Sequence, residues 1–312
     1  MADRESWLKI TSLALFGLIA SGVLISGHNA MAWSNGGYSS DPNNPDYGSH
    51  DWIAEHAIML LPANESGWLS QNKNAFIYGT EAPDNGNALF EGHNGYGDTT
   101  HHHNYYSGTT CVDASAANRA GEEYQKALNI IRSNGSLALA AWYAGAMTHY
   151  IDDVGCWAHV MSGESSTAHS NFESQVDSVT GSYGASTFSV SFDGTLETIS
   201  AHDASVTLGL NTYNDNGGTY TATWMNANFN TGWSNVNDWP TGFKGRTAES
   251  LNLAVNIVAA SLHTLTVEGR AIGVALGGPR ISLDLLLEIA VVAVIAMVVI
   301  YSVLSRRELE IN

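Results

Sequence analysis

The chain has 312 residues, of which 44% are hydrophobic and 13% are charged, so it can bury a sizeable core and lacks the composition of a disordered protein. Thirty acidic residues against 12 basic residues give a formal charge of −18, which disfavours nucleic acid as a partner unless a bound metal reverses the local field. We therefore expect one globular domain with appended segments, and no feature of the sequence implies a protein partner.

The first 32 residues have the pattern of a signal peptide. A short charged start precedes an apolar run over residues 10–25, and an Ala-Met-Ala cleavage signature occupies residues 30–32. We expect residues 1–32 to be removed and the mature chain to begin at Trp33. Acidic residues in the charged start leave an uncleaved signal anchor as the alternative.

The central part of the chain favours a mainly α domain over residues 33–270. Apolar residues recur at helical spacing in five segments, residues 52–61, 120–133, 136–153, 165–177 and 247–269. Residues 178–245 instead alternate in a strand-like manner between Gly and Asn breakers, which is typical of hairpins or irregular loops. The expected fold is thus a helical domain with a loop- or hairpin-rich insertion.

The C-terminal segment has the length and composition of a single membrane span. Residues 285–304 carry one charge, Glu288, and a bilayer requires roughly 20 apolar residues. Arg306 and Arg307 follow at once, which places the C-terminus in the cytoplasm and the main domain outside the cell. The expected divisions are a connector, a transmembrane helix and a cytoplasmic tail over residues 271–283, 284–305 and 306–312. A sorting tail that a transpeptidase removes would have the same pattern, and the domain would then not keep this helix.

Only two cysteines are present, Cys111 and Cys156. An extracellular location permits a disulfide bond between them. Two free buried thiols agree equally well with the sequence.

Histidine and carboxylate residues alternate at metal-ligand spacing after the most apolar helix. His149 and Asp153 are four residues apart, so both can reach one ion from the same helix face. His159 follows six residues later, and His169 and Glu173 repeat the four-residue spacing on the next predicted helix. Imidazole and carboxylate groups in this arrangement are typical zinc ligands.

The order H-Y-x-x-D, then His six residues later, then H-x-x-x-E resembles the bacterial zinc-dependent phospholipase C family and its relatives, the fungal single-strand-specific nucleases. Further landmarks of that family occur in order, namely Trp33 at the mature N-terminus, His50 opening the first helix, Asp84 in "GTEAPD" and a histidine in "HHHNYY". The resemblance covers about residues 33–175 by motif, with a weaker match at the last helix. It implies a helical domain of the phospholipase C and zinc nuclease type.

The resemblance also implies three bound Zn²⁺ ions. The implied ligands are the free amine and carbonyl oxygen of Trp33 with His50 and Asp153 for the first ion, His103, His149 and Asp153 for the second, and His159, His169 and Glu173 for the third. Because an amide nitrogen cannot replace the free amine, removal of the signal peptide would complete the site.

Several positions near these ligands remain open. Asp84 would contact the zinc-activated water as a ligand or as general base. The register of the three consecutive histidines 101–103 is ambiguous, and we choose His103 with His102 as the alternative. His93 and Asp98 are reserve candidates, and Asp152 is expected to support the ligands or face solvent. The chain has Gly155-Cys156 where the family usually has Gln-Pro.

The resemblance implies a hydrolase that cleaves the head-group phosphodiester of a membrane phospholipid with a zinc-activated water, at the cell surface. Residues 33–280 carry 8 basic and 24 acidic residues, so bound zinc would have to attract an anionic substrate. Two alternatives remain. One is a zinc-dependent single-strand nuclease or nucleotidase of the same superfamily, which usually has Asp at the position of Glu173. The other is a non-catalytic, zinc-stabilised surface binding domain.

Overall fold

A computed structural model describes residues 33–270 of the chain. The predicted signal peptide, connector, transmembrane helix and cytoplasmic tail lie outside the described residues. The helices are α1 Ser49–Leu60, α2 Ala63–Gln71, α3 Lys73–Glu81, α4 Ser115–Arg132, α5 Leu137–Asp152, α6 Ser166–Thr180, α7 Ala201–Asn214, α8 Ala222–Asn228 and α9 Thr241–Arg270. The strands are β1 Leu89–Phe90, β2 His93–Asn94, β3 Tyr105–Ser107 and β4 Thr110–Asp113. They pair as two antiparallel hairpins, β1 with β2 and β3 with β4.

Hydroxyl side chains fix where several helices begin. Ser136 accepts a hydrogen bond from the Leu139 amide at the start of α5, and Ser165 accepts one from the Ala168 amide at the start of α6. Such caps satisfy backbone donors that have no partner within the helix. They set the starting points of the two helices that carry His149, His169 and Glu173.

Helix α5 lies at the centre of the domain and packs against α3 and α4. Two glycines permit a very close approach of α3 and α5. A Cβ atom at Gly145 would lie 2.1 Å from the Phe76 carbonyl oxygen, and one at Gly79 would lie 2.1 Å from the Trp142 carbonyl oxygen. The close contact holds the segment after α3, which contains Asp84, against the C-terminal end of α5.

The chain turns back immediately after α5. Two short 3-10 turns, Asp153–Gly155 and Trp157–Val160, follow the helix, with Cys156 between them in an extended conformation. The Cys156 amide donates to the Asp153 carbonyl oxygen at 2.9 Å, and the His159 amide donates to the Cys156 carbonyl oxygen at 3.1 Å. This double turn brings His159 close to the end of the helix that carries His149.

Of the two alternatives expected for residues 178–245, hairpins or irregular loops, the structure shows irregular loops, together with helices that were not predicted. Within this fully described segment no strand forms, and α7 and α8 occupy much of it. Helix α7 buries Ala201, Ala204 and Leu208, a helical spacing of apolar residues that the surrounding Gly, Asn and Thr residues obscured. The remainder of residues 178–245 is largely irregular loop, which was the second of the two expected alternatives. Both hairpins form earlier in the chain.

Aromatic side chains form the part of the core that supports α6. Phe172 of α6 stacks on Trp239 with ring centroids 5.4 Å apart, and Phe243 of α9 contacts both rings. Phe172 lies three residues after His169 and directly before Glu173, so this packing also fixes the helix turn that carries both predicted ligands.

Helix α9 has the length and apolar composition of a membrane span, but most of its apolar window is buried against the rest of the domain. Burial of this kind is typical of a core helix in a globular protein. The span predicted from the sequence is a different segment and lies outside the described residues.

Cys111 and Cys156 are both free, so the structure contains no disulfide bond between them.

Candidate metal centre

Six separate parts of the fold converge on one buried group of histidine and carboxylate side chains. They are the start of α1, the segment after α3, the loop before β3, the end of α5, the second 3-10 turn and the middle of α6. The side chains fall into three neighbouring clusters, His50 with His149 and Asp153, Asp84 with His102 and His149, and Cys156 with His159, His169 and Glu173. Within each cluster the potential ligand atoms all lie within 4.8 Å of one another.

The first cluster lies between α1 and α5. His50 Nε2 is 3.6 Å from Asp153 Oδ1, and His149 Nε2 is 3.4 Å from Asp153 Oδ2. The His50 and His149 rings stack with centroids 4.0 Å apart. All three side chains are fully buried, so their polar atoms face one another rather than water.

The second cluster shares members with the first. Asp84 Oδ1 lies 3.5 Å from His102 Nε2 and 3.7 Å from His149 Nε2. His102 Nδ1 lies 2.8 Å from Asp153 Oδ2. Asp153 therefore directs one carboxylate oxygen toward His50 and the other toward His102, an arrangement that suits a carboxylate bridging two ions.

The third cluster joins the second 3-10 turn to α6. His159 Nε2 lies 2.9 Å from His169 Nε2, and Glu173 Oε1 lies 2.5 Å from His169 Nε2 and 3.5 Å from His159 Nε2. Cys156 Sγ approaches the same Glu173 oxygen at 3.7 Å. Four potential ligands of three types, thiol, imidazole and carboxylate, thus meet around one buried point.

The hydrogen bonds behind the histidines determine which ring nitrogens are free to bind a cation. His149 Nδ1 donates to the Thr80 carbonyl oxygen at 2.7 Å, and His159 Nδ1 donates to the His102 carbonyl oxygen at 2.6 Å. His50 Nδ1 donates to Asp152 Oδ1 at 2.6 Å. In the neutral ring, each Nε2 then carries a lone pair directed into the clusters, as metal-binding histidines require.

Two buried atoms support the fit of a cation. His50 Nε2 and Asp153 Oδ1 face each other, and neither has a hydrogen-bond partner among residues 33–270. Buried polar atoms without partners are costly, so they call for a specific explanation. A divalent ion between an imidazole nitrogen and a carboxylate oxygen provides one, and zinc accepts both ligand types.

The electrostatic environment favours the neutral, metal-binding form of several histidines. Burial lowers the pKa of His50, His149 and His159 well below the ordinary value, and it lowers the pKa of His169 to about 4. Burial also acts on His102, but there the nearby carboxylates outweigh it, Asp153 foremost, and raise the pKa to about 9. Among the histidines of the clusters with a shifted pKa, only that of His102 is raised, so its ring favours the protonated form in the zinc-free centre.

The N-terminal end of the described chain packs directly against this centre. Trp33 is fully buried, and its Nε1 donates to the Asp152 carbonyl oxygen at 2.8 Å. The His50 amide donates to the Ser34 carbonyl oxygen at 3.2 Å, and Asn35 Nδ2 donates to Asp84 Oδ2 at 2.9 Å. Three consecutive residues therefore support predicted ligands.

The structure corrects the choice of His103. His103 Nε2 lies 3.3 Å from Asp113 Oδ2 and its ring stacks on Tyr105, which directs it away from the clusters. His102, the alternative, lies in the second cluster instead. Its Nε2 donates to the Asp98 carbonyl oxygen at 3.0 Å, and this hydrogen bond orients the ring so that Nδ1 faces Asp153. Apart from Trp33, which belongs to none of the clusters, the remaining predicted residues lie in them, namely His50, Asp84, His149, Asp153, His159, His169 and Glu173.

Two residues, Asp152 and Cys156, have a larger part in the candidate metal centre than the sequence indicated. Asp152 is fully buried against His50, and Cys156 joins the third cluster.

The reserve candidates do not supply cluster atoms. His93 Nδ1 hydrogen bonds with the Tyr143 hydroxyl, whereas the Asp98 carboxylate accepts from Tyr150 and pairs with Arg119. Asp98 thereby anchors the loop that carries His102.

These features define buried clusters of histidine and carboxylate side chains that fit zinc binding, in a helical domain. The family described as zinc dependent phospholipase C matches residues 49–235, and the chain belongs to this family. This family consists of zinc-dependent hydrolases that act on phosphodiesters.

A solved structure of alpha toxin from Clostridium absonum has a similar fold, with a TM-score of 0.50 and 19% sequence identity. The similarity covers 74% of this chain and 65% of the toxin chain. At this identity it concerns the fold alone. A search of curated proteins gave no match.

Proposed function

We propose that the protein is a phospholipase C that uses zinc to cleave the head-group phosphodiester of a membrane phospholipid. The observation that carries this proposal is the convergence of three histidine and carboxylate clusters in a chain of the zinc-dependent phospholipase C family. Neighbouring divalent ions suit phosphodiester hydrolysis because they can stabilise both the attacking and the leaving oxygen.

The proposed ligands follow the clusters. His50 and Asp153, with the amine and carbonyl oxygen of Trp33, would hold the first ion. His102, His149 and Asp153 would hold the second, and His159, His169 and Glu173 the third. When bound, zinc lowers the pKa of a coordinated water toward about 7 and stabilises negative charge on the phosphate. Every proposed side-chain ligand is buried or nearly so, which keeps competing water away from these charges.

Asp84 is the proposed general base. Asn35 holds its Oδ2, which leaves Oδ1 directed toward His102 and His149. Burial raises the pKa of Asp84, which brings its proton affinity closer to that needed at neutral pH. This carboxylate would accept the proton of the attacking water, and only Oδ1 is available for that transfer.

The small residual exposure of the centre indicates where substrate would enter. The side chains of Asp84, His102 and His159 are 7%, 9% and 6% exposed, whereas His50, His149 and Asp153 are fully buried. The phosphodiester would therefore approach the second and third clusters from this side. With 24 acidic and 8 basic residues over 33–280, the surface itself gives an anionic head group no net attraction.

We further propose that the domain acts outside the cell and is attached to the membrane by the helix predicted over residues 284–305. Release of Trp33 from the signal peptide would complete the first zinc site. The burial of Trp33 against Asp152, on the helix turn that precedes Asp153, supports this role. Phospholipid in the adjoining membrane would then be a substrate within reach of the tethered domain.

The test compares Asp84→Asn with wild type in the purified mature chain that begins at Trp33, using phosphatidylcholine vesicles and following diacylglycerol release. The expected loss of rate is about 100- to 10,000-fold, with zinc content and thermal stability retained. Asp193→Asn, an exposed surface aspartate, is the matched control and should keep its activity. Unchanged activity in Asp84→Asn would exclude the proposed base.

The same preparation distinguishes the alternatives. Single-stranded DNA replaces the vesicles in a parallel assay at equal zinc content. Cleavage of DNA without diacylglycerol release would identify the nuclease alternative. Zinc binding without either reaction would indicate the non-catalytic binding domain.

A further inference from the structure

Cys156 belongs to the third cluster by position. Its side chain is fully buried, and its sulfur lies with His159, His169 and Glu173, all four potential ligand atoms within 4.8 Å of one another. The other cysteine, Cys111, lies in β4 and its thiol donates to the Asp113 carbonyl oxygen. Only one of the two thiols therefore faces histidine nitrogens and a buried carboxylate.

The separations of Glu173 from Cys156 and from His159 suit tetrahedral coordination. Zinc–sulfur bonds of about 2.3 Å and zinc–oxygen bonds of about 2.0–2.1 Å place sulfur and oxygen about 3.6 Å apart around one tetrahedral ion. Cys156 Sγ and Glu173 Oε1 are 3.7 Å apart, and His159 Nε2 and Glu173 Oε1 are 3.5 Å apart. His169 Nε2 lies closer to its neighbours, 2.9 Å from His159 Nε2 and 2.5 Å from Glu173 Oε1, so its ring would have to move outward when the ion binds.

The backbone holds the thiol in this position. Cys156 lies between two 3-10 turns, and both its amide and its carbonyl group form backbone hydrogen bonds with residues of those turns. The Glu173 carboxylate faces it from α6, which the stacking of Phe172 on Trp239 fixes. Two independently anchored elements therefore present the sulfur and the carboxylate to the same point.

We infer that Cys156 is a fourth protein ligand of the zinc ion held by His159, His169 and Glu173, bound as the thiolate. The inference rests on the proposed zinc centre. On binding, a zinc–sulfur bond forms and the thiol proton passes to solvent. Thiolate and carboxylate together balance the two positive charges of the ion, so the buried third site is neutral overall.

A fourth protein ligand changes the role of this ion. Zinc sites with four protein ligands are typically structural, whereas catalytic sites keep a position open for water or substrate. The third ion would then tie α6 to the turn after α5, and chemistry would fall to the pair around Asp153. Its release to a chelator should be the slowest of the bound ions.

Cobalt substitution tests the inference without an activity assay. Co²⁺ is loaded into the metal-free full chain, and the near-ultraviolet sulfur-to-cobalt charge-transfer absorption is recorded for wild type, Cys111→Ser and Cys156→Ser. We expect the band in wild type and in Cys111→Ser, and its loss in Cys156→Ser with the other cobalt absorption retained. Since the chain has only two cysteines, a band that persists in Cys111→Ser assigns the ligand even if Cys156→Ser does not fold.

Three outcomes overturn the inference in distinguishable ways. Cobalt bound without a sulfur band would show that the Cys156 thiol only donates to Glu173, and the proposed zinc centre would stand. A band that disappears in Cys111→Ser would show that Cys111, and not Cys156, supplies the sulfur ligand. No bound cobalt or zinc in wild type would remove the proposed function together with this inference.

Discussion

The hydrogen bond between His50 and Asp152 makes the strongest quantitative prediction for zinc binding. His50 Nδ1 and Asp152 Oδ1 are 2.6 Å apart, and both side chains are fully buried. The carboxylate fixes the ring orientation and increases the basicity of the nitrogen on the opposite side. Asp152→Asn keeps an oxygen acceptor of nearly the same shape but removes the charge.

Removal of such a supporting carboxylate typically weakens metal binding 10- to 100-fold, or about 1.4–2.7 kcal/mol. Because the pair is excluded from water and the hydrogen bond is short, we expect a value near the upper end, about 100-fold. The assay is competition between the mature chain that begins at Trp33 and a chromophoric chelator for zinc, with thermal unfolding of the zinc-free variant as the control for folding.

Asp203→Asn is the matched control, because Asp203 Oδ1 lies 3.1 Å from His202 Nδ1 in an exposed histidine–aspartate pair. Exposed pairs contribute little, so this change should alter zinc affinity less than about twofold, far below the effect on the buried pair. If Asp152→Asn binds zinc as tightly as Asp203→Asn does, His50 is not a ligand that depends on Asp152 and the assignment of the first cluster fails.

Three further predictions concern the ligand register, the fold and pH. His102→Ala should lower activity by more than about 100-fold while His103→Ala should change it little, and equal losses in the lipid assay would refute the choice of His102. Gly145→Ala should destabilise the protein by about 1–3 kcal/mol because its Cβ would meet the Phe76 carbonyl oxygen, whereas Gly67→Ala, with open space around it, should stabilise helix α2 by about 0.5–1 kcal/mol. Chemical denaturation measures both. Burial lowers the pKa of His102, but the nearby carboxylates outweigh it and raise that pKa to about 9 in the zinc-free protein. Zinc binding at pH 7 should therefore release protons, and zinc affinity should rise with pH up to about that value. Calorimetry in buffers of different ionisation enthalpy should detect this release, and its absence would contradict the assigned charge state.

Local spacing explains why several ligands were predictable. His149 with Asp153 and His169 with Glu173 lie four residues apart on helices, so a single helical turn already brings each pair together. The pattern of apolar residues likewise identified α5 and α6. For these elements, local sequence and tertiary structure favour the same conformation.

The positions that were misjudged depend on contacts far along the chain. His102 enters the centre through Asp153, 51 residues away, and Asp152 supports His50, 102 residues away. Nothing in a run of three histidines shows which ring a distant carboxylate will attract. The unpredicted helix α7 is different, because its apolar spacing and its Ser200 cap were present in the sequence among strand-favouring residues.

Stepwise return of zinc to the metal-free mature chain that begins at Trp33, with diacylglycerol release from phosphatidylcholine vesicles measured at each step, tests the central claim most directly. We predict no turnover without zinc and a rate that rises until about three ions are bound per chain. A chain that binds zinc to saturation but releases no diacylglycerol at any occupancy would contradict the proposed phospholipase C activity.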